Sequence, residues 1–97
     1  MPQLENKIAI VTGASSGIGR AIAYEFHKEG AKVICADLQP AARPGVPAES
    51  EKPTHELINS LGGTAEFFKV DISKVEDVEN VVARAVEKYG RLDMWVS

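Results

Sequence analysis

Near the amino terminus, Thr12-Gly13-Ala14-Ser15-Ser16-Gly17-Ile18-Gly19 has the composition of a turn that holds an anion. Gly13 permits a tight turn that a side chain would block, while Gly17 and Gly19 let backbone approach a diphosphate and a helix approach a sheet. The N–H groups left unpaired at a helix start, and the positive end of that helix, then face the anion. Ser15 and Ser16 add hydroxyl donors. Asp37, eighteen residues after Gly19, suits hydrogen bonding from the hydroxyls of an adenosine ribose and would repel a 2′-phosphate. Its plainer role would be to cap a strand end. The spacing Gly-x-x-x-Gly-x-Gly is neither the Gly-x-Gly-x-x-Gly fingerprint nor a P-loop, which needs Gly-Lys-Ser/Thr.

Other reactive residues carry less. Tyr24 and Lys28 stand at i and i+4 on one helix face, where a lysine can lower a phenol's pKa. They follow directly on the glycine turn, however, and are read as packing and solvent-facing residues. Cys35 lies inside an apolar run, where a thiol behaves as a small hydrophobe. His27 and His55 are expected on exposed helix surface, and Trp95 in the core. Two isolated histidines and one cysteine make neither a metal site nor an internal disulfide.

The elements that must position these residues follow from hydrophobic period. Lys7–Thr12 and Lys32–Asp37 are β-branched, nearly continuous apolar runs, as in strands covered on both faces. Between them a helix runs from the glycine turn to about Glu29, with Ile18, Ile22 and Phe26 on one face and Gly30 at its end. Pro40, Pro44, Pro47 and Pro53 make residues 39–53 a loop. A short helix follows over Thr54–Leu61, then a strand over Thr64–Asp71. Ser73-Lys74-Val75-Glu76 reads as a capping box opening a helix with the stripe Val75, Val78, Val82, Ala85 and Tyr89. Leu92–Val96 is a fourth strand. The order β-α-β-α-β-α-β predicts an α/β fold, a parallel sheet with helices on both faces, with residues 1–97 forming one wing of a doubly wound sheet.

Composition bounds the partners. Apolar residues make up 44% of the 97 and charged residues 26%, ordinary for a globular chain. Eleven Lys and Arg against fourteen Asp and Glu give a net charge of −3, without the basic patch that nucleic acid requires. The apolar runs are far shorter than the roughly 20 residues of a membrane span. Residues 1–7 lack a secretory pattern. A cytoplasmic location is expected.

The chain resembles the short-chain dehydrogenase/reductase family, whose motif Thr-Gly-x-x-x-Gly-x-Gly is matched by Thr12, Gly13, Gly17, Ile18 and Gly19. The likeness covers essentially the whole chain, including Leu92-Asp93, although the 39–53 loop is longer and richer in proline than in typical relatives. It implies a Rossmann-type sheet of strand order 3-2-1-4-5 and hydride transfer between an alcohol or ketone and NAD or NADP. The implied cofactor-binding residues are Gly13, Ser15, Ser16, Gly17, Ile18, Gly19, Asp37, Leu38, Asp71 and Ile72. Asp71 would bond the exocyclic amine of adenine, or else stabilise the turn before the next helix. NADP-preferring members carry a basic residue where Ser16 or Leu38 stands here, so NAD is expected over NADP. Arg43 lies nearby, in the proline-rich loop.

The family's catalytic Asn, Ser, Tyr and Lys come later than these 97 residues reach, so no catalytic residue is assigned. The expectation is the NAD-binding half of such an enzyme, inactive alone. A non-catalytic nucleotide-binding module, or a truncated regulatory partner of a full-length relative, is the alternative. A methyltransferase-like fold also uses an acid after the second strand, but the glycine spacing argues against it. The fourth strand is expected to be an apolar edge prone to self-association.

Overall fold

The computed structural model describes residues 3–15, 17–39 and 52–97. Ser16, and residues 40–51 of the proline-rich loop with Arg43 among them, lie outside the described residues. The elements alternate as β1 (Ile8–Thr12), α1 (Gly17–Lys28), β2 (Lys32–Asp37), α2 (Thr54–Ser60), β3 (Ala65–Lys69), α3 (Val75–Tyr89) and β4 (Met94–Val96). The four strands form one parallel sheet in the order β3-β2-β1-β4. This is the Rossmann-type arrangement that the alternation predicts.

All five residues of β1 are buried, and so are Val33–Ala36 of β2. Side chains of a strand alternate between faces, so each central strand feeds two cores. On one face Val11, Val33, Cys35 and Ala65 meet Ala14, Ala23 of α1 and Ile58 of α2, with Ile22 and Phe26 against them. On the other, Ile8, Ile10, Ile34, Ala36 and Val70 meet Val81 and Ala85 of α3, with Phe68, Val82, Tyr89 and Leu92 alongside. Helices thus cover both faces. Among the described residues the outer strand β4 pairs with β1 alone.

Several expectations need correction. Ile18 is 80% exposed and does not join Ile22 and Phe26 in the core, because it sits in the first turn of α1, beyond the sheet's carboxyl edge. Ala85 of the expected α3 stripe is buried, but its buried partner is Val81, outside that stripe, while Val75 is 71% exposed. The capping box does not form: Lys74 is the N-cap, without a side-chain cap bond, and the Ser73 N–H and hydroxyl both donate to Asp71 Oδ1. Trp95 is partly exposed, because β4 is an edge of the sheet, and its indole N–H donates to Ser97 Oγ at 3.2 Å. His27 and His55 are half-buried. The His27 ring occupies the place that a Cβ on Gly63 would take, and His55 lies 6.0 Å from the Phe67 ring.

Candidate functional site

The carboxyl ends of parallel strands are where an open α/β sheet leaves room for a ligand. Three segments converge there: the turn after β1, the end of β2, and the residues after β3. The turn needs its glycines. Gly13 and Gly17 have φ of 65° and 60°, in the left-handed region that other residues avoid. Gly19 has ordinary φ but no space, since a Cβ there would overlap the Gly13 carbonyl. The start of α1 therefore lies directly on the turn.

Ser15, which is buried, joins the turn to β2. Its N–H donates to Asp37 Oδ2 at 3.1 Å, and its hydroxyl donates to the Gln39 carbonyl. Asp37 Oδ1 accepts the Leu38 N–H at 2.7 Å. Two backbone donors thus orient one half-buried carboxylate on the rim of a cavity of about 190 Å³. Gly13, Ala36, Asp37, Leu38, Val70, Asp71 and Ile72 line it. Leu38 and Ile72 are 58% and 64% exposed; apolar side chains left wet beside a concave polar site fit a flat aromatic ring.

Asp71 takes up its local role. Its Oδ1 accepts the Ser73 hydroxyl at 2.6 Å and the Ser73 N–H at 3.0 Å. The Ser73 hydroxyl and then the Ser73 N–H hold this carboxyl below the usual carboxylate range. Asp71 also lines the same cavity, and both of these hydrogen bonds go to Oδ1.

Five of the residues read from sequence, Gly13, Asp37, Leu38, Asp71 and Ile72, therefore line one cavity, and Ser15 is bonded to it. Ile18 projects into solvent, and Gly17 lines a neighbouring hollow between α1 and α2 with Arg20, Ala21, Tyr24, Leu57 and Leu61. Tyr24 faces that hollow, and the Lys28 ammonium sits 5.6 Å from its ring centre. Lys28 also pairs with Glu25 at 3.3 Å. Burial pushes the Cys35 thiol up to about 12, against the opposing charge of Arg20, so Cys35 is no nucleophile. Among the described residues no group of His, Cys, Asp and Glu could hold a metal, and no helix is long and apolar enough to cross a membrane.

Sequence reasoning missed Ala36 and Val70, which form the cavity wall, and Thr54, whose hydroxyl donates to the Ala14 carbonyl of the turn at 2.6 Å. The wall was within reach, since the last inward residues of adjacent strands frame such a crevice. Thr54 left no local signal, because its partner lies 40 residues away.

Residues 7–97 match the family model described as short chain dehydrogenase. The chain belongs to the short chain dehydrogenase family. It is 44% identical over 92 residues to tropinone reductase-like 1 of Erythroxylum coca, covering 95% of this chain and 30% of that protein. Against the mitochondrial borneol dehydrogenase of Lavandula x intermedia it is 38% identical over 95 residues, covering 98% and 32%. Among solved structures, a hydroxysteroid dehydrogenase from Escherichia coli superposes with a TM-score of 0.79 at 32% identity, covering 95% of this chain and 36% of that one. A short chain dehydrogenase from Mycobacterium smegmatis gives 0.78 at 30%, covering 98% and 37%. The chain spans about a third of the length of these relatives.

Short chain dehydrogenases bind nicotinamide dinucleotides, NAD or NADP. The residues present fit such a group. Gly13 and Gly17 leave open space where a Cβ would stand, Gly19 lies directly on the Gly13 backbone, and the oriented Asp37 carboxylate stands beside a cavity flanked by exposed aliphatic side chains.

Proposed function

We propose that these 97 residues hold the adenosine and diphosphate of NAD in an oxidoreductase acting between alcohols and ketones. The observation that carries this is the bond from the Ser15 N–H of the glycine turn to Asp37 at the mouth of a cavity shared with Asp71. Gly13, Gly17 and Gly19 would bring backbone close to the diphosphate, with Ser16 as a hydroxyl donor and Ile18 in contact with the ligand, while the Ser15 hydroxyl, expected from sequence as a donor, is already spent on the Gln39 carbonyl. Asp37 would accept hydrogen bonds from the ribose hydroxyls. Leu38 and Ile72 would flank the adenine, and Asp71 Oδ2 would accept from its amine.

When bound, the nicotinamide supplies hydride transfer; the residues of this chain bind and orient the other half of the molecule. Asp37 would repel a 2′-phosphate, and neutral Leu38 offers it no partner, so NAD is preferred over NADP. None of the 97 residues is assigned a catalytic role. Tyr24 lines the hollow between α1 and α2, and neither Tyr24 nor Lys28 lines the cavity, so the chain by itself is expected to reduce no cofactor. A cytoplasmic site of action agrees with the charge balance and the single buried cysteine.

Isothermal titration with NAD, NADP and S-adenosylmethionine tests the reading. NAD should bind best, and equal or reversed affinity for NADP would remove Asp37 from its role. Combining Asp37→Ala with Leu38→Arg should narrow the preference by about tenfold, or 1.4 kcal/mol. Self-association through β4 rests on its open edge and part-exposed Trp95; light scattering is expected to show species larger than one chain.

A further inference from the structure

Thr54 is the first residue of α2, where a threonine hydroxyl ordinarily serves its own helix or solvent. Here it does neither. The N-cap is Pro53, without a side-chain cap bond, and Thr54 is only 1% exposed. Its single hydroxyl proton goes to the Ala14 carbonyl at 2.6 Å. Its oxygen accepts from Arg20 Nη1 at 3.2 Å, and the same nitrogen donates to the Lys52 carbonyl at 2.8 Å. The hydroxyl is therefore held in one orientation.

The Ala14 carbonyl and the Ser15 N–H belong to one peptide unit, which is planar and turns as a whole. Thr54 holds one side of that plane, and Asp37 Oδ2 accepts from the other at 3.1 Å. We propose that Thr54 is a positioning residue for Asp37, acting through the Ala14–Ser15 peptide, and that discrimination between NAD and NADP depends on its hydroxyl. This rests on the cofactor reading above. Without the hydroxyl, a buried carbonyl loses its donor and the peptide plane is free to rotate toward another partner. The Ser15 N–H then no longer fixes the carboxylate.

The test is titration of the wild-type chain, Thr54→Val and Thr54→Ser with NAD and with NADP, read as the ratio of the two dissociation constants. Valine keeps the shape and loses the hydroxyl; serine keeps the hydroxyl and loses the methyl group. Thr54→Val should shrink the ratio on the order of fivefold to tenfold, the scale of one lost buried hydrogen bond, while Thr54→Ser keeps the wild-type ratio. A purely packing role predicts the opposite order, with serine the worse variant. An unchanged ratio in Thr54→Val, or equal losses in both variants, would overturn the proposal. If Thr54→Val does not fold, Thr54→Ala takes its place with the same expectation. The Ser15 amide should also be protected from hydrogen exchange in the wild type, and free exchange there would sink the idea by itself. Wild-type chain that binds neither dinucleotide, or both equally, defeats the cofactor reading instead, and the role of Thr54 falls with it.

Discussion

The two faces of the sheet are built to different rules. Beneath α1 and α2 the buried side chains are mostly small, Ala14, Ala23, Cys35 and Ala65, and Gly19 rests on the Gly13 carbonyl. Beneath α3 they are larger, with Ile8, Ile10, Ile34, Val70 and Val81 filled in by Phe68 and Tyr89. Outside this second face, Arg84 at 3.1 Å and Lys88 at 2.5 Å both pair with Glu66 of β3. Small residues let a helix start close enough to the sheet for backbone to do the binding. Bulky ones set α3 on the sheet by buried area alone. The first face lets the glycine turn lie close on the sheet, and the second gives cohesion, with Ala36 and Val70 at its edge also walling the cavity.

Substitutions on each face should therefore fail differently. The largest effect is expected for Gly19→Ala, because the added carbon meets backbone that cannot move aside. Dinucleotide binding should vanish in titration, with a stability loss of about 3 kcal/mol by denaturant melting. Retained binding would mean the turn has slack, and the contrast between faces would weaken. Val81→Ala, on the cohesive face, should cost about 2 kcal/mol of stability and leave NAD affinity of the folded chain unchanged. A fall in affinity would show that the faces are coupled.

A smaller effect comes from acid. Burial works against the Glu66 carboxylate, but hydrogen bonds from Arg84 and Lys88 outweigh it and hold its pKa below the ordinary value. Asp93 is also held low, by Arg91 and then by the Ile8 N–H, which it accepts at 2.8 Å. Both groups release protons more readily folded than unfolded, so their contribution is present above about pH 4 and lost as pH falls through the folded values. The melting temperature should drop below about pH 4. Glu66→Gln should reduce that drop and cost no more than about 1 kcal/mol at neutral pH. An acid profile identical to wild type would leave the ion pairs of the α3 face without a role.

Most of this was legible in sequence where one interaction dominates. The span of β2 follows from an unbroken apolar run, and the place of the turn from its glycines. Where two interactions compete, the pattern alone misleads. Ser73 has the spacing of a helix cap, yet Asp71, two residues earlier, takes its proton. The α3 stripe is periodic whether Val75 or Val81 is included, and only the seating of the helix on Ile10 and Ile34 selects Val81. Ile18 shares the helical period of Ile22 and Phe26, but the sheet ends before it. The cavity was legible as Asp37 and Asp71 at one sheet edge. The link through Thr54 was not, because neither its spacing nor its type marks a partner across the fold.

The position of β1 also sets an order of events. It precedes the other three strands of this sheet along the chain and lies inside it, with β2 on one side and β4 on the other. Its pairing with β2 closes after a single helix. Its other side waits for Met94–Val96, and the bond from the Ile8 N–H to Asp93 spans 85 residues. Parallel pairings over such separations form slowly. During synthesis β1 therefore spends the translation of nearly the whole segment with one row of backbone donors and acceptors open, at the stage when a nascent chain is most exposed to mispairing and most in need of a chaperone.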